Sequence, residues 1–238
     1  MKIPAEDILV MDGIGKAFGG AEVLKGACFR AKAGAITAVV GRNGIGKTTL
    51  FRIVAGRVKA DFGHVHFMGE RIPRPKLHQL ARKGLMYSAQ ESALTPLFNV
   101  EQHLRAFTLR FGTAARTDEV IETLGMSELR SRITPTLSGG ERQRLSLALA
   151  LIRQPTCLLA DEPFAGVSPK ERVHVARALT LLRESGCAVV ISGHDVEDIF
   201  GVADQVYWMT SGLMYPLGAP AEARKDFHFR QGYLGPGR

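Results

Sequence analysis

The stretch that decides the fold is Gly41-Arg42-Asn43-Gly44-Ile45-Gly46-Lys47-Thr48-Thr49, which contains the pattern GxxxxGK[ST]. It follows a short apolar run (36–40) and opens a segment with helical spacing (48–56), the context that a phosphate-binding loop requires. Glycines let the backbone bring several N–H groups to one anion, and a helix N-terminus adds partial positive charge. The pattern alone also arises by chance in glycine-rich turns, but the flanking strand and helix favour phosphate binding.

The residue types in this loop predict separate tasks. We expect Lys47 to contact the β- and γ-phosphates of a nucleotide as a point charge, and the Thr48 hydroxyl to be a ligand of Mg²⁺. The residues expected to bind the nucleotide are Gly41, Asn43, Gly44, Gly46, Lys47, Thr48 and Thr49.

Two further apolar runs are typical of buried strands, and both end in polar residues. The run 157–160 is followed by Asp161 and Glu162, and the run 187–191 by Ser192, Gly193 and His194. Because ligands collect at the carboxyl ends of parallel strands, we expect these residues to meet the phosphate-binding loop. The sequence therefore predicts an α/β fold of the P-loop NTPase class.

The adjacent carboxylates Asp161 and Glu162 can serve different partners, because successive side chains of a strand point in opposite directions. Asp161 suits Mg²⁺ coordination through water, and Glu162 suits a general base that activates a water molecule. A pair of acids at a strand end can also be a helix cap or a solvated turn. Beside a phosphate-binding loop, the catalytic interpretation is favoured.

The other segments predict what surrounds this core. Apolar segments at 8–11, 23–31 and 63–69 indicate a smaller N-terminal sheet, and 141–152 and 173–184 have helical spacing. Asn99 and Gln102 form the pattern of a helix start, and 117–124 is typical of a second helix. We predict one domain over residues 1–238, with a helical subdomain inserted at about 91–155.

Composition narrows the class of protein. The apolar fraction is 45%, no apolar run is long enough to span a membrane, and the N-terminus lacks the features of a secretory signal, so we expect a cytoplasmic protein. The net charge of +8 is spread widely, which favours an ordinary solvated surface or a cytoplasmic membrane face over nucleic-acid binding. Three separated cysteines without a CxxC pair favour small buried side chains over metal or redox chemistry.

A family resemblance enters at Leu137-Ser138-Gly139-Gly140-Glu141, which resembles the signature motif of ABC ATPases and is extended by Arg142-Gln143-Arg144. The phosphate-binding loop, Gln90, the signature, the acid pair and His194 follow one another in the order of that family. The resemblance covers the chain from Phe18 to about Leu234. It implies a RecA-like core with an N-terminal antiparallel β subdomain and an inserted helical subdomain, and hydrolysis of ATP with Mg²⁺.

The resemblance also implies roles for residues outside the loop. Phe18 resembles the aromatic that stacks on adenine, although it can also be a core aromatic, and Gln90 resembles the glutamine that senses Mg²⁺ and the attacking water. His194 resembles the switch histidine that contacts the γ-phosphate, although a lone histidine is more often structural. Ser138, Gly139 and Gly140 resemble the groups that bind ATP held by the opposite subunit.

The partners implied by the family are a second ATPase subunit, in a head-to-tail dimer, and a transmembrane permease. We expect the permease to dock near Gln90 and residues 94–100, at the inner face of the cell membrane. An apolar cluster lies there, formed by Leu94, Pro96, Leu97 and Phe98. The segments 161–169 and 231–235 look like those of branched-chain amino acid importers and lipopolysaccharide-export ATPases.

The main alternative is an ABC ATPase without a transporter. Nucleic-acid ATPases of the family insert coiled coils or zinc modules, for which the stretch between Gln90 and Ser138 is too short, and translation factors usually carry two cassettes. A soluble ATPase of iron–sulphur cluster assembly stays open. The chain departs from the family pattern at Ser168, where aspartate is most common, at Leu149 and at Ala160. The change at Ser168 puts the strength of coupling across the dimer in doubt.

Overall fold

The structure is a computed structural model that describes residues 3–89, 94–111 and 117–235. Within these ranges a central sheet has six strands in the order β10-β9-β3-β8-β7-β6. All neighbours pair in parallel except β10, which is antiparallel to β9. The strands are β3 (Ile36–Val40), β6 (Leu85–Ser88), β7 (Cys157–Ala160), β8 (Ala188–Gly193), β9 (Gln205–Thr210) and β10 (Leu213–Gly218).

A second sheet is built mainly from the N-terminal part of the chain. Its described strands run in the order β2-β1-β4-β5, and every neighbouring pair is antiparallel. They are β1 (Asp7–Phe18), β2 (Ala21–Lys32), β4 (Phe62–Phe67) and β5 (Glu70–Ile72). Gly19 and Gly20 connect β1 to β2 with φ of 55° and 85°, because a two-residue turn of this hand needs positive φ at both positions.

Helices connect the strands of the central sheet. They are α1 (Lys47–Val54), α2 (Leu77–Arg82), α3 (Val100–Phe111), α4 (Thr117–Thr123), α5 (Gly139–Arg153), α6 (Pro169–Glu184), α7 (Val196–Phe200), α8 (Pro220–Ala223) and α9 (Phe227–Phe229). Short 3₁₀ turns cover Ser127–Leu129 and Thr134–Thr136, and a π-helical turn covers Arg230–Leu234.

The helix start predicted at Asn99 is confirmed. The Asn99 side chain accepts a hydrogen bond from the Gln102 N–H at 2.8 Å, and the Gln102 side chain accepts one from the Asn99 N–H at 2.9 Å. Helices α3, α4 and α5 lie between β6 and β7 in the chain. The single domain over 1–238 and the subdomain bounds at about 91–155 stay predictions.

The sequence placed the start of α6 too late. The helix begins at Pro169, because proline fits the first turn of a helix and the Glu171 carboxylate accepts hydrogen bonds from the N–H and the hydroxyl of Ser168. Its buried face includes Val175 and Leu179, whereas Val173, which the predicted spacing placed on that face, is exposed.

Side chains of the parallel strands alternate between two cores. Ala38, Leu158 and Ile191 face a core that includes α5 and α6, whereas their neighbours Val39 and Leu159 face the core shared with the N-terminal sheet and α1. A strand buried on both faces needs apolar residues at every position, which is why these runs are continuous rather than alternating. The central sheet is therefore fixed from both sides, and its carboxyl edge holds the polar residues.

Cys157 and Cys187 are buried as predicted, and burial raises the pKa of both thiols. Cys28 is an exception, because it is exposed on β2. No helix in the described ranges is both long and apolar enough to cross a membrane.

Candidate active site

The phosphate-binding loop joins the end of β3 to the start of α1. A cavity of about 300 Å³ lies over it, lined by Asn43, Gly44, Gly46, Lys47, Thr48, Thr49 and Glu162. Gly46 precedes the helix with φ of 114°, a conformation that disfavours any side chain. Helix α1 has no side-chain cap and no acidic residue in its first turn, so its first N–H groups face the cavity without an anionic partner.

Lys47 is 4% exposed, and its side chain is enclosed by the phosphate-binding loop. Its Nζ donates hydrogen bonds to the carbonyl oxygens of Gly41 at 2.8 Å and Arg42 at 3.1 Å. Burial lowers the pKa of Lys47, and the nearby charge of Glu162 opposes this shift. The ammonium group is thus held at the cavity wall by uncharged carbonyl groups and one carboxylate.

Asp161 is buried where β7 ends, and its Oδ1 accepts a hydrogen bond from the Ser192 hydroxyl at 2.6 Å. Its Oδ2 is also buried and has no hydrogen-bond partner among the described residues. A buried carboxylate oxygen without a partner is costly, so this oxygen is suited to a cation. The geometry fits the predicted Mg²⁺ ligand.

Ser192 was expected near the phosphate-binding loop, but the sequence predicted no separate role for it. Its Oγ also accepts a hydrogen bond from the Glu162 N–H at 2.9 Å, so one hydroxyl bonds to both acidic residues. The parallel register of β7 and β8, in which Ala160 pairs with Ile191, brings it beside them. That register was the missing information, because the spacing of the two runs does not reveal it.

Glu162 lies between Lys47 and His194. Its Oε1 is 3.6 Å from Lys47 Nζ, and its Oε2 is 3.9 Å from Nδ1 of His194. Glu162 has φ of 51°, an uncommon left-handed conformation for a residue other than glycine, asparagine or aspartate. The structure therefore brings together the lysine, the acid and the histidine that the sequence predicted from three separate strand ends.

The signature residues lie elsewhere in the same chain. Ser138 caps α5: its hydroxyl accepts from the Glu141 N–H at 3.1 Å, and Glu141 Oε2 accepts from the Ser138 N–H at 2.6 Å. A Cβ added to Gly139 would lie 3.7 Å from the carbonyl oxygen of Gly166. Among the described residues, the wall of the phosphate cavity includes neither Ser138 nor the two glycines.

An ion pair joins α5 to α6 just beyond the signature. Arg144 NH2 lies 2.9 Å from Glu171 Oε1, and Arg144 NH1 donates to the Leu124 and Gly125 carbonyl oxygens at 2.9 Å each. Burial alone would raise the pKa of Glu171, but hydrogen bonds from Ser168 and the charge of Arg144 outweigh it and lower that pKa. The start of α5 is therefore fixed to the start of α6.

Phe18 and Gln90 are the two other residues for which the sequence predicted a role. Phe18 ends β1 and is 47% exposed, with Lys16 Nζ 5.1 Å from its ring centroid, so it is not a core aromatic. Gln90, expected to contact Mg²⁺ and the attacking water, lies outside the described residues.

Comparisons with known proteins identify the family of the chain. Residues 24–165 match the ABC transporter family. The chain is 34% identical to the lipopolysaccharide export system ATP-binding protein LptB of Escherichia coli, covering 95% of this chain and 97% of that protein. It is 35% identical to an Fe(3+) ions import ATP-binding protein of Rhodococcus jostii, covering 90% of this chain and 63% of that protein.

A solved structure shares the fold. An ATP-binding cassette of an ABC transporter, in its ADP conformation, matches with a TM-score of 0.82 and 25% identity, covering 96% of this chain and 99% of that one. The predicted P-loop NTPase fold is confirmed. The chain belongs to the ABC transporter family, as one of its ATP-binding and ATP-hydrolysing subunits.

Proposed function

We propose that two copies of this subunit bind two MgATP between them and that hydrolysis drives a membrane permease. The main support for this proposal is that the residues predicted to contact the γ-phosphate form two separate groups within one chain. Lys47 and Glu162 line one cavity, and His194 lies beside Glu162 at 3.9 Å. Ser138 and Gly140, which the family resemblance assigns to the γ-phosphate, lie outside the wall of that cavity. A second copy arranged head to tail supplies the missing signature residues to each cavity.

In this proposal the chain's own residues divide the chemistry. Lys47 and the first N–H groups of α1 hold the β- and γ-phosphates. Glu162 accepts a proton from the water that attacks the γ-phosphorus, while the bond from that phosphorus to the oxygen of ADP breaks. His194 contacts the γ-phosphate, and Gln90 orients the water. The products are ADP and inorganic phosphate.

Mg²⁺ fits the oxygen donors at this site. The buried Oδ2 of Asp161, the hydroxyl of Thr48 and the side-chain oxygen of Gln90 are the ligand type that Mg²⁺ prefers. When bound, the ion supplies positive charge to the phosphates. Phe18, exposed at the end of β1, is our candidate for stacking on adenine.

A complementation experiment tests the shared site. One variant carries Lys47→Ala and another carries Gly140→Asp, and each alone lacks a complete site. A mixed dimer regains one intact site, so mixing should raise ATP turnover above that of either parent. Wild type mixed with the double variant is the control, because its mixed dimers contain no intact site. No gain from mixing the two single variants would overturn the shared site.

We place the subunit at the inner face of the cell membrane, beside its permease. The similarity to LptB over most of the chain favours the group that the segments 161–169 and 231–235 resemble, the lipopolysaccharide exporters and branched-chain amino acid importers. Neighbouring genes and membrane subunits that copurify with the chain distinguish these transporters from a soluble ATPase.

The proposed docking surface lies around the start of α3. Leu97 is 85% exposed, whereas Leu94 packs against the core and Phe98 forms an edge contact with His103 at 5.4 Å. Leu97 is therefore the cleaner probe, because a charge at Phe98 also disturbs a contact within the chain.

Leu97→Asp should abolish association with the coexpressed permease in membrane fractions while the ATPase rate of the isolated subunit stays within about twofold of wild type. Leu109→Asp is the matched control, since Leu109 is 86% exposed and lies on α3, away from the turn that contains Leu97. Retention of the Leu97 variant in the membrane fraction at wild-type levels would exclude this surface.

A further inference from the structure

The C-terminal strap, which we define as residues 226–234, reaches the site from the end of the chain. Its first turn is capped by Asp226, whose Oδ1 accepts a hydrogen bond from the Phe229 N–H at 2.7 Å. The π-helical turn Arg230–Leu234 then brings Tyr233 to the carboxyl ends of β3 and β8.

Hydrogen bonds tie the strap to the phosphate-binding loop and to the loop that contains His194. The Tyr233 hydroxyl donates to the carbonyl oxygen of His194 at 2.9 Å. Arg42, inside the phosphate-binding loop, donates to the Gly232 carbonyl oxygen at 3.4 Å. The Gly41 N–H donates to Gly193 O at 3.3 Å, so the two loops also contact each other beneath the strap.

Ring packing fixes the tyrosine in place. Its ring stacks on Phe229 at a centroid distance of 5.2 Å and an interplanar angle of 20°. Phe229 is fully buried and stacks in turn on Phe200 of α7 at 6.2 Å. Because α7 starts two residues after His194, the strap contacts this part of the chain twice, at the His194 carbonyl oxygen and at the end of α7.

The phenol is kept as a proton donor. Burial raises the pKa of Tyr233 to about 12, although a hydrogen bond with the Gly41 backbone and the positive charge of Arg42 oppose the rise. Throughout the neutral pH range the hydroxyl therefore donates to the His194 carbonyl.

We infer that Tyr233 is a positioning residue for ATP hydrolysis, which fixes the peptide bond after His194 and thereby the His194 ring beside Glu162. Nδ1 of that ring is 3.9 Å from Glu162 Oε2, and the ring itself is half exposed. Rotation of the peptide bond would move the ring away from the acid. The inference rests on the proposed role of His194 in turnover.

The test removes one hydroxyl. Tyr233→Phe keeps the ring stacked on Phe229 and should lower kcat by about three- to tenfold with KM for MgATP changed by less than about twofold, because one hydrogen bond is lost. Tyr215→Phe is the matched control, since Tyr215 is exposed on β10 and packs on Trp208 at 5.8 Å. Incorporation of 4-aminophenylalanine at 233 restores an N–H donor and should restore kcat, whereas O-methyltyrosine should not.

A double-variant cycle separates positioning from general stability. In the His194→Ala background, Tyr233→Phe should change the residual turnover by less than about twofold, because its effect passes through the histidine. The ¹³C signal of the His194 ring should shift in Tyr233→Phe and stay in place in Tyr215→Phe. A full further loss in the double variant, or an unmoved His194 signal, would overturn the inference.

The two proposals fail in different ways. Wild-type turnover of His194→Ala would remove the proposed role of His194, and that of Tyr233 with it. If His194→Ala loses turnover but Tyr233→Phe keeps the wild-type kcat, only the role of Tyr233 fails.

Discussion

Two helices that we propose to face the same phosphate begin in opposite ways. Helix α1 starts after Gly46, without a side-chain cap and without an acid in its first turn. Helix α5 starts at a complete capping box, in which Ser138 and Glu141 satisfy each other's N–H groups. The N–H groups at the start of α1 are therefore available to an anion, whereas side chains of the same chain already cap the start of α5.

This difference indicates an order of events. The open N–H groups of α1 lie in a cavity together with Lys47, so this side attracts the nucleotide phosphates first. The Glu141 carboxylate in the first turn of α5 offsets part of the positive charge at that helix start. The signature is therefore a weaker anion site, suited to a contact made only when a second copy closes on bound ATP.

The largest expected effect lies in the cavity, at Glu162. Glu162→Gln keeps the size of the side chain but removes the group that accepts the proton, so turnover should fall by about 10²- to 10⁴-fold. ATP binding should persist, and the variant should elute as an ATP-dependent dimer in size-exclusion chromatography. Glu184→Gln, an exposed acid at the end of α6, is the control. Turnover at the wild-type rate would contradict the role of Glu162 as general base.

The next effect concerns binding rather than turnover. Lys47→Ala removes the charge that faces the phosphates, and affinity for a fluorescent ATP analogue should fall by about a hundredfold, the size expected for a charge-assisted contact. Lys59→Ala, at an exposed lysine outside the cavity, should leave affinity unchanged. Equal affinities of the folded Lys47 variant and wild type would show that α1 alone holds the phosphates.

The open helix start was readable from the sequence, because every part of it is local. Gly46, Lys47 and Thr48 are consecutive, and the pattern specifies both the turn and the helix that follows. The acid pair and His194 were found because a buried parallel strand predicts where its carboxyl end lies. The cavity residues were thus predictable without knowledge of which strands are neighbours.

Contacts that depend on register and on packing between helices were not readable. Ser192 reaches both acids only because β7 pairs with β8 in a particular register, and Tyr233 reaches His194 across 39 positions of the chain. The bond between Arg144 and Glu171 depends on how α5 crosses α6. Periodicity predicts the buried face of each helix, but it carries no information about such pairs.

A smaller effect is expected at the signature side. A Cβ added at Gly140 would lie 2.7 Å from Glu171 Oε2, so Gly140→Ala must displace the carboxylate that joins α6 to Arg144. Turnover should fall by about tenfold, as for a strained packing change of 1–3 kcal/mol, while affinity of the cavity for the fluorescent ATP analogue stays within about twofold. If affinity fell as much as turnover, the phosphate cavity and the signature would not act independently.

Gly201→Ala is the control for an added methyl group. Its Cβ would lie 3.4 Å from the nearest atom, an ordinary contact, and Gly201 has helical φ at the end of α7. Both activity and affinity should match wild type.

The smallest expected effect compares the same change at two helix starts. Ser138 and Ser168 both precede a helix and both hydrogen-bond to the acid three residues later, Glu141 and Glu171. Replacement of either serine by alanine should cost about 1 kcal/mol of folding free energy, which corresponds to a fall in Tm of about 2–4 °C in a chain of this size. Thermal unfolding measures this shared loss of stability.

The two serine variants should differ in their rate of ATP turnover. The Ser138 hydroxyl is proposed to contact ATP held by the second copy, so Ser138→Ala should also lower kcat by about fivefold, the effect of one hydrogen bond. The Ser168 hydroxyl donates to Glu171 at 2.8 Å within its own chain, so Ser168→Ala should keep kcat within about twofold of wild type. Equal kcat values for the two variants, with equal falls in Tm, would reduce the signature serine to a helix cap, and the capped start of α5 would then have no part in binding the phosphate.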